Sequence, residues 1–181
     1  MLIDKTESAL LVIDVQDKLL PGVHEHEKLV ENCRWLIEAA ELMGVPVMAS
    51  EQYPQGVGPT APALRELIKE ESVVAKTWFS CADSEACMSQ LNKLDCPQVV
   101  ICGMEAHVCV LQTAMKLQQQ GKQVYVVTDA ISARQPHDTE AAIQRMQAAG
   151  VTMVTREMVG FEWVRRSDAP EFRDFSKRFL Q

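Results

Sequence analysis

Short runs of apolar residues alternate along the chain with segments in which apolar residues recur at helical spacing. The runs predict strands, and the spaced segments predict helices. The predicted strands are Ala9–Ile13, Val45–Ala49, Val73–Ala75, Gln98–Cys102, Gln123–Thr128 and Val151–Val154. The predicted helices are Glu27–Met43, Ala61–Lys69, Asp83–Leu94, Val108–Gln120, His137–Ala149 and Pro170–Phe179. The pattern therefore indicates that strands and helices alternate throughout the sequence.

The predicted strands are apolar on both faces, so helices must cover both faces of the sheet that they form. We therefore expect residues 1–181 to fold as a single α/β domain. The expected architecture is a three-layer α/β/α sandwich with a six-stranded, mainly parallel, Rossmann-like sheet. In such a sheet the carboxyl ends of the strands share one edge, and ligands bind in the crevice there. Functional polar residues should therefore follow directly after strands.

The composition excludes several classes of partner. Hydrophobic residues make up 47% of the sequence and charged residues 24%, which is ordinary for a globular protein. The net charge of −7 argues against nucleic acid, whose binding needs a basic face. No apolar run is long enough to cross a bilayer, and the first residues lack the pattern of a signal peptide. We expect a cytoplasmic protein that acts on a small molecule, without a membrane partner.

Three side chains of different chemistry follow predicted strands: Asp14, Lys76 and Cys109. Cys109 lies in the first turn of a predicted helix, where unpaired N–H groups and the helix dipole favour a thiolate. A carboxylate to take the thiol proton and an ammonium to orient that carboxylate would complete a nucleophile system. Taken singly, these residues have structural interpretations as a helix cap, a surface lysine and a core cysteine. The pattern alone leaves both interpretations open.

The other cysteines give no sign of a metal site or a disulfide scaffold. The six cysteines are Cys33, Cys81, Cys87, Cys96, Cys102 and Cys109. No two of them have C-x-x-C spacing, and no Cys/His group has zinc-finger spacing. Cys33 and Cys102 fall at positions that we expect to be buried, where cysteine packs as a small hydrophobic residue. A redox role is the weaker interpretation, because the sequence contains no obvious resolving pair.

Four motifs carry a resemblance to a known family. They are Leu11–Gln16, Val74–Ser80, Gly103–Val110 and, in the predicted loop after the fifth strand, Thr128–Arg134. In this order and spacing they resemble the cysteine-hydrolase branch of the isochorismatase-like superfamily, over nearly the whole chain. The resemblance implies the isochorismatase-like hydrolase fold.

The resemblance also implies roles for particular residues. The family's catalytic triad corresponds to Asp14, Lys76 and Cys109. The family places a non-proline cis peptide bond before the cysteine, which corresponds here to the bond between Met104 and Glu105. By the same correspondence, the backbone N–H groups of Glu105 and Cys109 would form an oxyanion hole.

Departures from related enzymes narrow the chemistry. Nicotinamidases of this superfamily bind a metal through an aspartate and several histidines after the second strand, but residues 49–58 here contain no histidine. We therefore expect no bound metal and no cofactor. Isochorismatases themselves lack the nucleophilic cysteine, so Cys109 argues against cleavage of a vinyl ether. Ala106 stands where many members carry threonine, which removes a hydroxyl from the loop before Cys109.

Five further residues near strand ends are candidate substrate contacts. They are Gln16, Tyr53, Trp78, Phe79 and His107. Trp78 and Phe79 follow Lys76 and could form an aromatic wall, although ordinary core packing is an equal alternative. His107 opens the helix that carries Cys109, where it could line the pocket or pack between helices.

The sequence therefore predicts a metal-independent cysteine hydrolase that cleaves a small amide-type C–N bond through a thioester intermediate. One alternative is hydrolysis of a carbamoyl or ureido compound by the same triad. A second alternative is a catalytically idle member of the family that binds a metabolite or a partner protein. Members of this family usually form homo-oligomers, so we expect one here, with subunit contacts that can complete the pocket.

Overall fold

A six-stranded sheet forms the centre of the molecule, as seen in a computed structural model that describes residues 1–180. The strand order is β3-β2-β1-β4-β5-β6, and every neighbouring pair is parallel. The strands are β1 (Ser8–Ile13), β2 (Val47–Gln52), β3 (Val73–Lys76), β4 (Gln98–Met104), β5 (Gln123–Ser132) and β6 (Thr152–Val154). The sheet is therefore wholly parallel, where the sequence predicted a mainly parallel one.

Helices connect and cover the strands. The helices are α1 (His26–Met43), α2 (Pro54–Val57), α3 (Pro62–Arg65), α4 (Glu85–Lys93), α5 (Leu111–Gln119), α6 (Pro136–Ala148), α7 (Arg156–Val164) and α8 (Phe172–Phe179). Three short 3₁₀ segments and a π-helical turn complete the described elements: Leu20–Gly22, Glu70–Ser72, Cys81–Asp83 and the π-helical turn Ala106–Val110. None of the helices within residues 1–180 is long and apolar enough to cross a membrane.

Two apolar clusters lie on opposite faces of the sheet and confirm the three-layer sandwich. Along β1, Leu10 and Val12 belong to the cluster that packs against α1, α3, α7 and α8. Their neighbours Leu11 and Ile13 belong to the other cluster, which packs against α4, α5 and α6. Successive strand residues point to opposite faces, so a strand buried on both sides must be apolar throughout. This explains the continuous apolar runs in the sequence.

The strands that differ most from their predicted bounds are β2 and β5. β2 starts two residues later than predicted, after Pro46, and continues through polar residues to Gln52. Pro46 has no N–H to donate to the ladder, but its carbonyl accepts a hydrogen bond from the Leu10 N–H at 2.9 Å. β5 continues to Ser132, so much of the segment 128–134 that we predicted as a loop is strand.

The helices also differ from the prediction. The predicted helix over residues 61–69 contains only the single turn α3, and the short helix α2 was not predicted. Helix α7 was not predicted either, although Val159 and Trp163 are apolar at helical spacing. Its buried face includes Val159 and Trp163, which pack in the same cluster as α1.

The strand order places a switch point between β1 and β4, from which connections lead in opposite directions. Crevices at such a point, at the carboxyl ends of the strands, are common ligand sites. Asp14 directly follows β1, and the turn that carries Cys109 follows β4. The fold thus brings two of the predicted site residues to adjacent strand ends.

Candidate functional site

Asp14 and Lys76 form a buried ion pair at the carboxyl edge of the sheet. The Lys76 Nζ donates a hydrogen bond to Asp14 Oδ2 at 2.7 Å, and both side chains are almost wholly buried. The other carboxylate oxygen accepts a hydrogen bond from the Ser50 hydroxyl at 2.7 Å. The strands that lead to these two residues are not neighbours, because β2 lies between β3 and β1. The long lysine side chain reaches across the end of β2.

Three acceptors surround the Lys76 ammonium. Besides Asp14 Oδ2, they are the side-chain oxygen of Gln52 at 2.7 Å and the backbone carbonyl of Phe79 at 3.1 Å. Burial has the largest single effect on Lys76 and disfavours its charged form. The charge and hydrogen bond of Asp14, together with Cys109 and Cys81, outweigh burial, and the pKa of Lys76 is raised. The lysine is therefore a stable ammonium at neutral pH and holds the carboxylate in place.

Cys109 lies in the π-helical turn Ala106–Val110, and only 5% of its surface is exposed. Burial raises the pKa of its thiol, and the nearby charge of Asp14 raises it further, while Lys76 partly opposes both effects. The position at a helix start was expected to favour a thiolate, but desolvation and the adjacent carboxylate raise the pKa. The resting thiol is therefore protonated.

The backbone before Cys109 has the expected cis peptide bond between Met104 and Glu105. The N–H of Glu105 makes no hydrogen bond to another backbone group within residues 1–180. Gly103 precedes this bond with φ of +123°, a conformation that residues with a side chain rarely adopt. A Cβ atom at this position would collide with the Ile13 backbone, so glycine allows β4 to lie close against the end of β1.

The side chains of Glu105 and His107 face each other beside this turn. Glu105 Oε1 accepts a hydrogen bond from Arg134 Nε at 3.0 Å. Its other oxygen lies 3.8 Å from His107 Nδ1, and both of these atoms are buried without a hydrogen-bond partner. His107 is partly exposed, and the negative charge of Glu105 contributes to the raised pKa of Cys109.

Gln16, which we predicted as a substrate contact, has a different place in the structure. It is fully buried, and its side-chain amide is hydrogen-bonded to the backbone N–H and carbonyl of Gln52 and to the Gly58 carbonyl. Its oxygen and nitrogen are thus both engaged by the protein itself. The amide fastens the end of β2 and is not available to a ligand.

The three aromatic candidates lie on the surface near Lys76. Tyr53, Trp78 and Phe79 are more than half exposed, so the alternative of ordinary core packing for Trp78 and Phe79 is wrong. Tyr53 and Trp78 line an open cavity of about 310 Å³ that also reaches Lys76 and Ser84. Exposed aromatic side chains beside a cavity are typical of ligand contacts or of surfaces that another chain covers.

The remaining thiols lie in the interior. Cys33 and Cys102 are buried, as predicted, on the face of the sheet that α1 covers. Cys81 and Cys87 influence each other's ionisation near Lys76 and Asp14, a pairing that the sequence did not reveal. The interaction with Cys81 lowers the pKa of Cys87 to about 7. Residues 1–180 contain no group of three or more His, Cys, Asp or Glu side chains that could hold a metal ion.

Sequence reasoning missed Ser50 and Gln52, which contact Asp14 and Lys76 respectively. The apolar run of the second strand ends at Ala49, so the polar residues after it resembled a loop. Their alternation could have been a signal, since Ser50 and Gln52 are two residues apart and share a face of the extended strand.

Comparisons with known proteins agree with the sequence motifs. The family model described as the Isochorismatase domain matches residues 8–158. Isochorismatase domain-containing protein 2 of Danio rerio is 36% identical over 172 residues, which cover 94% of this chain and 85% of that protein.

Solved structures give the same result. The structure of MAR1 ribonuclease from Caenorhabditis elegans is similar with a TM-score of 0.93 at 36% identity, covering 100% of this chain and 93% of that one. The YcaC gene product of Escherichia coli, an octameric hydrolase of unknown specificity, is similar with a TM-score of 0.91 at 26% identity, covering 99% and 92%. Together the family and the fold support a hydrolase. The chain therefore belongs to the isochorismatase domain family.

Proposed function

We propose that this protein is a metal-independent cysteine hydrolase that cleaves a small amide-type C–N bond through a thioester intermediate. The observation that carries the proposal is the buried Asp14–Lys76 ion pair next to the Cys109 thiol. Because the resting thiol is protonated, Cys109 becomes a strong nucleophile only when its proton moves to a base. Asp14 is the carboxylate beside it.

In the first half of the reaction, Cys109 Sγ bonds to the substrate carbonyl carbon while its proton moves to Asp14. Lys76 remains an ammonium and keeps the carboxylate oriented. The oxyanion accepts hydrogen bonds from the N–H groups of Glu105 and Cys109, and the unpaired Glu105 N–H supports this role. One such donor contributes on the order of 10²–10³ in rate.

In the second half, Asp14 gives its proton to the leaving nitrogen as the C–N bond breaks, and an acyl thioester remains on Cys109. A water molecule then attacks the thioester while Asp14 takes its proton. The acid product leaves, and the proton returns to the Cys109 thiolate. Tyr53, Trp78, Phe79 and His107 are the substrate contacts in this proposal, since all four lie near the cavity or the cysteine turn and are partly exposed.

The decisive experiment is a screen of small primary amides for ammonia release, followed by Cys109→Ala on any substrate found. We expect this variant to lose at least about 10³-fold in turnover while its circular dichroism spectrum stays native. Cys96→Ala is the matched control, because Cys96 lies in the loop that precedes the opposite end of β4. Undiminished turnover by Cys109→Ala would disprove the scheme.

Further arms of the screen separate the alternatives. Carbamoyl and ureido compounds test the same triad on a different acyl group. RNA is included because the C. elegans relative is named a ribonuclease, although the net charge of −7 does not favour a polyanionic substrate. Preincubation with EDTA should leave the rate unchanged, whereas its loss would contradict metal independence. An idle binding protein would turn over no compound.

We also expect this chain to form a homo-oligomer, and the octameric E. coli relative supports this. The exposed rings of Trp78 and Phe79 next to the cavity are candidates for burial by another subunit. Light scattering coupled to size-exclusion chromatography measures the mass of the assembly directly. A monomer at micromolar concentration would contradict the expectation.

A further inference from the structure

Strand β2 lies between the strands that lead to Asp14 and Lys76, and Gln52 at its end contacts the Lys76 ammonium. Gln52 pairs with Lys76 in the β2–β3 ladder. Its side-chain Oε1 accepts a hydrogen bond from Lys76 Nζ at 2.7 Å, and its Nε2 donates to the Thr77 carbonyl at 2.8 Å. One amide therefore joins the ammonium to the backbone that follows it.

The chemistry of these two contacts requires an amide. Its acceptor end faces a cation and its donor end faces a carbonyl, so the reverse orientation would produce two repulsive contacts. Glutamate at position 52 would place an oxygen against the Thr77 carbonyl and a second negative charge beside Lys76. Methionine has nearly the same length but offers neither a strong acceptor nor a donor.

Gln16 fixes the backbone of Gln52. Its side-chain oxygen accepts from the Gln52 N–H at 2.7 Å, and its nitrogen donates to the Gln52 carbonyl at 3.0 Å and to the Gly58 carbonyl at 2.6 Å. The Gln16 side chain is fully buried, so water does not compete for these hydrogen bonds. The two glutamines form a continuous connection from the segment after β1, through the end of β2, to Lys76.

We propose that Gln52 is a positioning residue that holds the Lys76 ammonium against Asp14 with a neutral acceptor, and that Gln16 acts by fixing Gln52. The inference rests on the proposed cysteine hydrolase and adds a requirement to it. The Lys76 ammonium must bind the carboxylate of Asp14 and no second carboxylate. A second carboxylate would draw Lys76 away from Asp14 and add negative charge near Cys109. The charged groups that influence Cys109 are otherwise Asp14, Lys76 and Glu105.

The test measures the alkylation of Cys109 by iodoacetamide in the full-length protein between pH 6 and 10, with mass spectrometry of the peptide. It compares the wild type with Gln52→Glu, Gln52→Met and Gln16→Met. Gln120→Glu is the matched control, because it adds the same charge at an exposed position after α5. The alkylation rate of Cys96 in the same samples is the internal reference for the reagent concentration and the reaction time.

We expect Gln52→Glu to slow Cys109 alkylation about tenfold at pH 7.5 and by the same factor wherever the rate rises with pH, because the added charge raises the pKa of the thiol by roughly one unit. Gln52→Met and Gln16→Met should slow it about threefold with a smaller shift, since they loosen Lys76 without adding charge. Gln120→Glu should match the wild type. If Gln52 had a purely structural role, Gln52→Glu and Gln52→Met variants of equal thermal stability would have equal rates of Cys109 alkylation.

Gln52→Glu and Gln52→Met variants that alkylate like the wild type would overturn the inference and leave the proposed function intact. If Gln52→Met does not fold, Gln52→Asn carries the same expectation, because its shorter amide cannot span Thr77 and Lys76. Wild-type Cys109 that resists alkylation at every pH, while Cys87 or Cys96 reacts, would overturn the proposed function together with this inference.

Discussion

At the scale of single residues, the charges of Asp14 and Lys76 determine the state of the Cys109 thiol. The carboxylate raises the pKa of this thiol, and the ammonium partly lowers it again. A buried ion pair adds little to the free energy of unfolding, because the desolvation of both charges offsets their attraction. Removal of one partner, however, leaves an uncompensated charge in the interior. Asp14 both raises the pKa of the thiol and serves as its proposed base. A change of Asp14 should therefore make the thiol more reactive towards an alkylating reagent and yet lower turnover.

Asp14→Asn should lower turnover by about 10²–10⁴-fold, because the base that takes the thiol proton is lost. The same change should accelerate alkylation of Cys109 by iodoacetamide at pH 7.5, because a negative charge that raises the pKa of the thiol is removed. The rates of both reactions are measured on one preparation. Slower alkylation would contradict the electrostatic role assigned to Asp14.

The stability of the same variant tests the buried pair. Asp14→Asn leaves Lys76 without its counter-charge and should lower the free energy of unfolding by about 3–5 kcal/mol. The double variant Asp14→Asn with Lys76→Met removes both charges and should recover much of this loss. Urea denaturation of the two variants measures the difference, and equal stability would contradict the argument.

At the scale of secondary-structure elements, the close approach of β4 to β1 brings the cysteine turn to Asp14. The β4–β5 register is irregular between Ile101 and Gly103, and Gly103 has a positive φ there. An added Cβ atom would collide with the backbone of Ile13, which cannot move without displacing Asp14. The glycine is therefore required both by conformation and by space.

Gly103→Ala should lower the free energy of unfolding by at least about 2 kcal/mol and reduce turnover more than its stability loss explains. Chemical denaturation and steady-state kinetics at a temperature where the variant is fully folded separate the two effects. Gly121→Ala is a useful control, because it also has positive φ but no atom within 4 Å of the added carbon. Full turnover by the folded Gly103→Ala protein would contradict a role in site geometry.

Helix α8 packs through aromatic side chains against helices α1 and α7. Phe175 is completely buried, and its ring lies 5.5 Å from that of Phe161 and 6.0 Å from that of Trp35 between centroids. Phe175→Ala should cost about 3–5 kcal/mol in the free energy of unfolding, measured by urea denaturation. Phe172→Ala should cost clearly less, because that ring is only partly buried. Equal losses would contradict the packing of this helix.

At the scale of the whole molecule, buried thiols on both faces of the sheet couple stability to alkaline pH. Burial contributes to raising the pKa values of Cys81, Cys102 and Cys109 above the ordinary thiol value of 9.0. Above that value the unfolded chain loses protons that the folded protein retains, so stability falls as pH rises. Cys87 has the opposite sign, because its pKa is lowered to about 7. The pKa of Lys76 is raised, so its contribution to stability is fully present below the ordinary value of 10.5 and does not vary between pH 7.5 and 10.

Comparison of the wild type with Cys109→Ala isolates one of these contributions. Between pH 7.5 and 10, the wild type should lose about 1.4 kcal/mol more free energy of unfolding than the variant. Urea denaturation under reducing conditions at the two pH values gives this difference. The same loss in both proteins would mean that the Cys109 thiol ionises equally in the folded and unfolded states.

The sequence alone determined the fold class and the strand-end positions of Asp14 and Cys109. Apolar runs and helical spacing record burial: β1 is buried at every residue, and α1 buries apolar residues at helical spacing. The register of polar residues at the end of β2 could not be read in this way. That segment is fixed by pairing with distant strands, and its polar residues resemble a loop.

Only the tertiary structure decided how the site is held together. Pairing of β2 with both β1 and β3 brings Ser50 into contact with Asp14 and Gln52 into contact with Lys76, although Asp14 and Lys76 are far from both in sequence. Burial at that edge raises the pKa of the Cys109 thiol, and the sequence could not show this because desolvation depends on what surrounds a thiol in space. The residue types in a sequence specify which groups are available, whereas their distances and burial specify their charge states and partners.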